Sequence, residues 1–411
     1  MKFTDFGFDN RLVEGIEASA YSDATPVQEQ VIPLVLAGKD VIASAQTGTG
    51  KTAAFLLPLI NNILSAPFNQ ESSITALVIV PTRELAVQIA QHMEGLSYFT
   101  SVSSIAVYGG GDGNAFVQEK KALSAGADVV ICTPGKMLAH INMGYVKLQG
   151  LKYLVLDEAD RMLDMGFYDD IMRIISALPA KRQNLLFSAT MPHKIRDLAR
   201  KILHHPSEIN ISISKPNEKI TQLAYMVYDT QKIPLVKYIL HQKTFSSVLI
   251  FCSSKVSVKQ LNRDLQKTGL LVDEIHSDLE QTKREEVLMH FKSGRLKILV
   301  ATDILSRGID IDNIGLVLNY DVPHDGEDYV HRIGRTARAA AEGSAITFVS
   351  VKEQRKFAVI EKMLGKPVPK AEVPEQFGEV PAYLPHQSSF KSSGGGTPKR
   401  EGKPQRFSRS K

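Results

Sequence analysis

Cysteine is almost missing: only Cys132 and Cys252 occur in 411 residues. Neither belongs to a Cys-x-x-Cys or Cys/His cluster, which excludes a disulfide scaffold and a thiolate zinc site. Each ends an apolar run in a different half of the chain, as reduced, buried thiols do. Long apolar stretches are missing too, and nothing approaches the ~18 residues that a membrane-spanning helix needs. The opening Met1-Lys2-Phe3-Thr4-Asp5 lacks the charged-then-apolar pattern of a secretory signal. A soluble, cytoplasmic protein is expected. Strong charge of one sign is also absent from most of the chain. The overall balance is +5. Lys391, Lys399, Arg400, Lys403, Arg406, Arg409 and Lys411, opposed only by Glu401, give residues 391–411 a charge of +6 and leave −1 for the rest. Any grip on a polyanion by the folded body must therefore come from placed groups rather than bulk charge.

What is present is a long alternation of short apolar runs with helical-looking segments, the pattern of buried parallel sheets wrapped by helices. The first half offers strands at Val41–Ala43, Leu77–Val80, Ile105–Val107, Val129–Ile131, Tyr153–Leu156 and Leu185–Phe187. Beyond Pro206 the chain turns polar and reaches Lys215-Pro216-Asn217, which reads as a linker. A second set follows at Val248–Phe251, Glu274–His276, Ile298–Ala301, Leu316–Asn319 and Ala345–Val349. The length suits two domains, expected at 1–207 and 219–366, joined by a linker over 208–218. From 367 onward, proline, serine and glycine predict a disordered basic tail. No short-period repeat is visible. Polar clusters recur just after the apolar runs, where the carboxyl ends of parallel strands form a ligand-binding edge.

The first cluster is Ala45-Gln46-Thr47-Gly48-Thr49-Gly50-Lys51-Thr52, between a strand and a helix. Its glycines let backbone N–H groups approach phosphate, Lys51 can reach β/γ-phosphates, and Thr52 can ligate Mg²⁺. Ala45 stands where the general phosphate-loop pattern has glycine. Leu154-Val155-Leu156 runs into Asp157-Glu158-Ala159-Asp160. A carboxylate at a strand tip suits a nucleotide-bound Mg²⁺, and its neighbour can polarise an attacking water. Taken alone, the acidic pair could equally cap the following helix; the phosphate loop about a hundred residues upstream favours the metal reading.

Together these motifs resemble the DEAD-box RNA helicases, and the rest of the family set follows in order from Phe3 to about Val349. The resemblance implies two RecA-like α/β domains that close on ATP, Mg²⁺ and one RNA strand. It assigns Gln28, with Phe3 and Tyr21, to adenine, and an amide can pair with adenine's N6/N7 edge. Pro81-Thr82-Arg83, Gly109-Gly110 and Thr133-Pro134-Gly135-Lys136 become first-domain RNA contacts. Gln281, Arg284, Thr302, Ser306 and Arg307 become those of the second. Ser188 and Thr190, with Asp303 and His331, would couple the two sites, and Asp310 would meet the ribose. Arg335 and Arg338 fall at the finger positions, where a guanidinium from the second domain stabilises charge on the γ-phosphate, an effect worth roughly 10³–10⁵ in rate in related hydrolases. The catalytic set is then Lys51, Asp157, Glu158, Arg335 and Arg338.

Four residues depart from the family pattern: Ala24 for proline, Lys136 for arginine, and Ser277 and Ala337 for glycine. None removes a catalytic group. The expected activity is RNA-stimulated ATP hydrolysis with local unwinding of short duplexes, through largely sequence-nonspecific backbone contacts, in ribosome assembly or RNA turnover. An ATP-gated RNA clamp would use the same motifs but release products slowly. A DNA translocase uses related domains, and a 2′-OH requirement separates it.

Overall fold

The computed structural model describes residues 1–45, 48–66, 73–110, 113–211, 219–302, 314–336 and 343–385, apart from the side chains of Gln281 and Glu327. The first domain contains strands β1 (Val41–Ser44), β2 (Ala76–Ile79), β3 (Ser104–Val107), β4 (Val129–Cys132), β5 (Tyr153–Leu156), β6 (Gln183–Ser188) and β7 (Ser207–Asn210). Its helices are α1 (Asn10–Ala18), α2 (Pro26–Leu36), α3 (Lys51–Ser65), α4 (Arg83–Ser97), α5 (Gly113–Ala125), α6 (Pro134–Asn142), α7 (Ala159–Asp164), α8 (Tyr168–Ser176) and α9 (His193–Ile202). The second domain contains β8 (Ile220–Met226), β9 (Val248–Phe251), β10 (Val272–Ile275), β11 (Ile298–Ala301), β12 (Leu316–Asn319), β13 (Gly343–Val349) and β14 (Lys370–Ala371). Its helices are α10 (Asp229–Gln242), α11 (Lys255–Gln266), α12 (Gln281–Lys292), α13 (Gly326–Ile333) and α14 (Gln354–Leu364).

Both sheets are parallel, and both have the same order. The first runs β3-β4-β2-β5-β6-β1-β7 and the second β10-β11-β9-β12-β13-β8-β14. Counted within its own domain, each is 3-4-2-5-6-1-7, so the chain folds one topology twice. Burial on both faces explains the continuous apolar runs. Successive residues still serve opposite cores: Val41 and Ala43 join one apolar cluster with Val78, Val155 and Phe187. Ile42 joins the other with Leu77, Leu154 and Leu186. The same alternation divides Val248 and Ile250 from Leu249 and Phe251 in the second sheet. Helices cover these faces with stripes; α9 buries Ile195, Leu198, Ala199 and Ile202, spaced for one helical face.

Two expected boundaries need correction. Ser207–Asn210 is not linker: it pairs in parallel with β1, from Val41↔Ser207 to Ser44↔Asn210. Only one of its residues, Ile209, is buried, so this edge strand reads as polar. Nor does the second domain stop at 366. Lys370 and Ala371 add a strand to β8, the counterpart of β7 in the repeated order. The chain then crosses α10, where Gln231 Nε2 donates to the carbonyls of Phe377 and Glu379 at 2.8 and 2.9 Å. It ends against α14: Tyr383 covers Phe357 with ring centroids 6.3 Å apart and donates its hydroxyl to Glu361 at 2.6 Å. The basic segment 391–411 and linker residues 212–218 lie outside the described residues.

A chain ending at residue 366 would lose the β14 pairing and these side-chain anchors together. We expect it to lose about 3 kcal/mol, lowering the second domain's unfolding midpoint by roughly 6–12 °C. A chain ending at residue 385 should match the full-length midpoint in the same calorimetric scan. Equal midpoints for both truncations would show that the segment adds no stability.

Candidate active site

The repeated order puts β5, β6 and β1 side by side, so the segments leaving their carboxyl ends converge. From β1 comes the phosphate loop, whose helix α3 starts at Lys51. Gly50 has φ +90°, and a Cβ there would meet Gln28 Nε2 at 2.5 Å, so both backbone and space require glycine. Lys51 is buried, and its Nζ donates to the Ala45 carbonyl at 2.6 Å. Thr52 is half-buried on the first turn of the same helix. Gln46 and Thr47 lie outside the described residues.

From β5 comes the acidic cluster. Asp157 is buried, and burial pushes its carboxyl up to about 6, against the opposing pull of Lys51. Its Oδ1 accepts the Glu158 N–H at 2.9 Å. Glu158 sits at φ +51°, a left-handed conformation that costs a non-glycine residue about 1–3 kcal/mol. This turn carries the Glu158 carboxylate to Arg161, whose Nη1 lies 3.2 Å from Oε2. From β6 comes the third segment. Thr190 donates its N–H and its hydroxyl to Asp160 Oδ2 at 3.0 and 3.2 Å, while the Ser188 hydroxyl donates to the Thr190 carbonyl at 2.7 Å. The Ala45 N–H reaches the Ser188 carbonyl at 3.1 Å, which closes a circuit through all three segments.

A buried ammonium beside a buried carboxylate whose pKa is raised, at the N-terminus of a helix, is a donor set suited to a metal–polyphosphate. The residues therefore fit Mg²⁺ and a nucleotide. The glutamine expected at adenine is built into the loop: Gln28 Nε2 donates to the Gly50 carbonyl at 3.1 Å, and its Oε1 accepts the Thr25 N–H at 2.8 Å. Tyr21 is half-buried and meets Phe3 edge-on at 5.8 Å. Phe3 itself is buried among core residues, so it supports Tyr21 from behind.

The expected RNA residues divide into two groups. Thr82 and Thr133 precede α4 and α6 as their N-caps, behind Pro81 and before Pro134. Gly109, Gly110 and Gly135 lie in the same region, and a Cβ at Gly109 or Gly135 would meet open space. The arginines are otherwise engaged. Arg83 stacks 4.6 Å over the Tyr108 ring, donates to the Gly109 carbonyl at 3.2 Å and pairs with Glu285 of the second domain at 2.9 Å. Arg284 donates to the carbonyls of Leu279 and Ser277 at 3.1 and 3.0 Å and pairs back with Glu84 at 3.3 Å. Two crossed ion pairs thus dock the domains edge to edge. Ser277, in place of the customary glycine, takes part through its backbone carbonyl.

In the second domain, Thr302 follows β11, its N–H on the Ile275 carbonyl at 3.2 Å. His331 and Arg335 are buried on and after α13. Asp303, Ser306, Arg307, Asp310, Ala337, Arg338 and the Gln281 side chain lie outside the described residues. Three residues that engage this edge had no distinguishing signal in the sequence, namely Tyr108, Glu285 and Arg161, whereas Glu84 lies in the motif Pro81-Thr82-Arg83-Glu84-Leu85. Asp160 had one, the last letter of the acidic motif itself.

Comparison with known proteins follows the same division of the chain. Residues 25–198 match the DEAD/DEAH box helicase family and residues 231–340 the helicase conserved C-terminal domain. An ATP-dependent RNA helicase CshA from Listeria monocytogenes is 43% identical over 89% of this chain and 69% of its own length. DbpA of Bacillus subtilis is 39% identical over 91% and 77%. Saccharomyces cerevisiae Dbp5 bound to RNA and ADP BeF3 superposes with a TM-score of 0.80 at 31% identity, over 90% of this chain and 95% of that one. A DEAD box protein of Methanococcus jannaschii, 37% identical, superposes with a TM-score of only 0.52 over 90% and 99%. With a literal Asp-Glu-Ala-Asp at the tip of β5, a phosphate loop after β1 and both family domains in place, this chain belongs to the DEAD-box ATP-dependent RNA helicases.

Proposed function

We propose that the chain is an RNA-stimulated ATPase that remodels short RNA duplexes in the cytoplasm by closing its two domains, in ribosome assembly or RNA turnover. The observation that carries this reading is the pair of crossed ion pairs, Arg83–Glu285 and Glu84–Arg284. They join the edge that holds Lys51 and Asp157 to the domain that holds Arg335. In support, 90% of the chain superposes better on the RNA- and ADP-BeF3-bound Dbp5 than on a protein of higher sequence identity. That preference does not follow sequence identity.

Thr52 and Asp157 would hold Mg²⁺, which when bound neutralises charge on the β- and γ-phosphates. Lys51 leaves the Ala45 carbonyl for phosphate oxygen. Glu158, held by Arg161, orients the attacking water and accepts its proton. Arg335, with Arg338 beyond the described residues, brings positive charge to the γ-phosphoryl group in transfer to water only when the domains meet. Asp160 and Thr190 tie the acidic turn to the segment after β6, so a shift of one moves the other. RNA lies along the joint edge on backbone N–H groups, hydroxyls and Lys136, contacts that read phosphate and sugar rather than base. Ribosomal or RNA-decay partners would supply the choice of target, and the basic segment 391–411 would act as a tether.

Glu158→Gln keeps shape and removes the base. Steady-state hydrolysis should fall at least 100-fold, within the range general-base loss commands, while binding of a fluorescent ATP analogue and of RNA persists. Wild-type turnover by this variant would refute the assignment. Arg335→Ala should abolish RNA stimulation, and a chain ending at residue 211, which keeps β7, should hydrolyse ATP no faster with RNA than without. Robust stimulation of that isolated first domain would rule out a composite site.

Closure itself has a separate test. Glu84→Ala and Arg284→Ala should each raise the RNA concentration for half-maximal ATPase by roughly two- to fivefold, as part-exposed pairs do. The double variant should be no worse than the worse single one, because the two residues share one interaction. Additive losses would mean that they act separately.

A further inference from the structure

Lys136 stands where the family has arginine, and its surroundings show what that exchange does. Its ammonium lies 2.9 Å from Glu119 Oε2 and 5.4 Å from the Phe116 ring centroid. The same carboxylate oxygen is 3.0 Å from His140 Nε2. The other ring nitrogen of His140 meets the Tyr145 hydroxyl, and the imidazole stacks on Phe116 at 5.2 Å, 16° from parallel. Lys120 lies 5.4 Å over the far side, on the Tyr145 ring. His140 is fully enclosed, and burial holds its imidazole below the ordinary value despite Glu119. A carboxylate only accepts, so the neutral ring donates Nε2–H to Glu119 and accepts a hydrogen bond from the Tyr145 hydroxyl on Nδ1. Glu119 therefore rests on one neutral donor and one cation. Its side chain is 7% exposed, whereas that of Lys136 is 20% exposed and reaches solvent beside the α6 N-terminus.

We propose that Glu119 is a built-in competitor for RNA phosphate at Lys136, an affinity-setting residue that weakens the grip on the strand and speeds its release. A phosphate that draws the ammonium outward leaves a buried carboxylate short of its counter-ion, and that cost is subtracted from binding. An arginine could serve both anions with its forked donors, whereas lysine offers one point charge to be shared. Phe116, His140 and Tyr145 keep Glu119 from following Lys136 outward. The inference rests on the reading of Lys136 as an RNA contact and deepens it.

The test is fluorescence anisotropy of a labelled oligouridine, titrated with full-length protein in Mg²⁺ and a non-hydrolysable ATP analogue at several salt concentrations. Lys136→Ala should weaken binding. Glu119→Gln, which keeps the hydrogen-bonding shape, should tighten it by roughly two- to fivefold, the size of a part-exposed pair, and steepen the salt dependence by up to ~0.7. Lys136→Arg should tighten it as well, and serves if the Glu119 variant does not fold. In the Lys136→Ala background the Glu119→Gln gain should vanish. A Glu119→Gln protein that binds no tighter, while Lys136→Ala binds more weakly, overturns the competitor role alone. An equal gain in both backgrounds overturns it too, since the effect then bypasses Lys136. Unchanged affinity of Lys136→Ala would instead overturn the RNA-contact reading from which the inference starts.

Discussion

In a parallel sheet every strand ends at the same edge, and here that constraint does most of the chemical assembly. With β5, β6 and β1 adjacent, residues 45, 157 and 188 must leave the sheet side by side although more than a hundred positions separate the first from the others. No long loop has to find its partner. What remains is to tie the three emerging turns together, and the Asp160 carboxylate does this by accepting from both donors of Thr190. The acidic turn then enters α7 through a left-handed Glu158. Such a conformation persists only where its surroundings over-determine it. The bonds of Glu158 to Asp157 and Arg161, with those of Asp160 to Thr190, provide that determination, and the last two couple the acidic turn to the segment after β6.

The same geometry explains what the sequence made legible. Central strands such as Val129–Cys132 and Leu316–Asn319 are buried on both faces and appear as uninterrupted apolar runs. The clusters that follow them mark the working edge. Two of the four edge strands, β7 and β14, give no such signal, because few of their side chains are buried. In β7 only Ile209 is buried, and in β14 neither Lys370 nor Ala371 is; both were assigned to linker or tail for that reason. The duplication was legible only through the family resemblance, which implies two RecA-like domains, and the repeated strand order bears it out. It resides in strand order, which is a property of pairing rather than of composition, and the two halves reach it with different residues. Ion pairs across 200 positions, such as Glu84 with Arg284, have no local signature at all.

Charge in this chain is largely spent internally. The body is near neutral, and several of its placed cations already hold an anion or a carbonyl: Arg83 on Glu285 and Gly109, Arg284 on Glu84, Arg161 on Glu158, Lys136 on Glu119. On the proposed reading, an RNA strand at this edge would meet prepaired groups, and drawing Lys136 from Glu119 would use part of its binding energy. Affinity would then be lower than the count of basic residues suggests, and the inter-domain pairs would make it conditional on domain placement. For a motor that must let go of its product, weak and conditional contacts are better suited than strong and permanent ones.

The second domain shows the same economy applied to rigidity. Lys232, buried on α10, lies 2.8 Å from Asp321 and 3.3 Å from Glu353. Burial alone would lower its pKa, but Asp321, Glu353 and Asp229 outweigh that and raise it. Asp321 follows β12 and also accepts the N–H and hydroxyl of Ser253, beyond β9, at 2.8 and 2.9 Å. Arg332, enclosed on α13, donates to Asn319 Oδ1 and the Asp321 carbonyl at 3.1 and 3.2 Å and stacks 5.0 Å over Phe251. One buried charge cluster therefore fixes the ends of β9, β12 and β13 together with the helix that precedes Arg335. A guanidinium that must reach across an interface is useful only if its base does not move. Removing either partner from such a cluster would leave a buried charge uncompensated, a loss of about 3–5 kcal/mol. On the proposed closure, the domain would swing as a body and carry the helix leading to Arg335 with it.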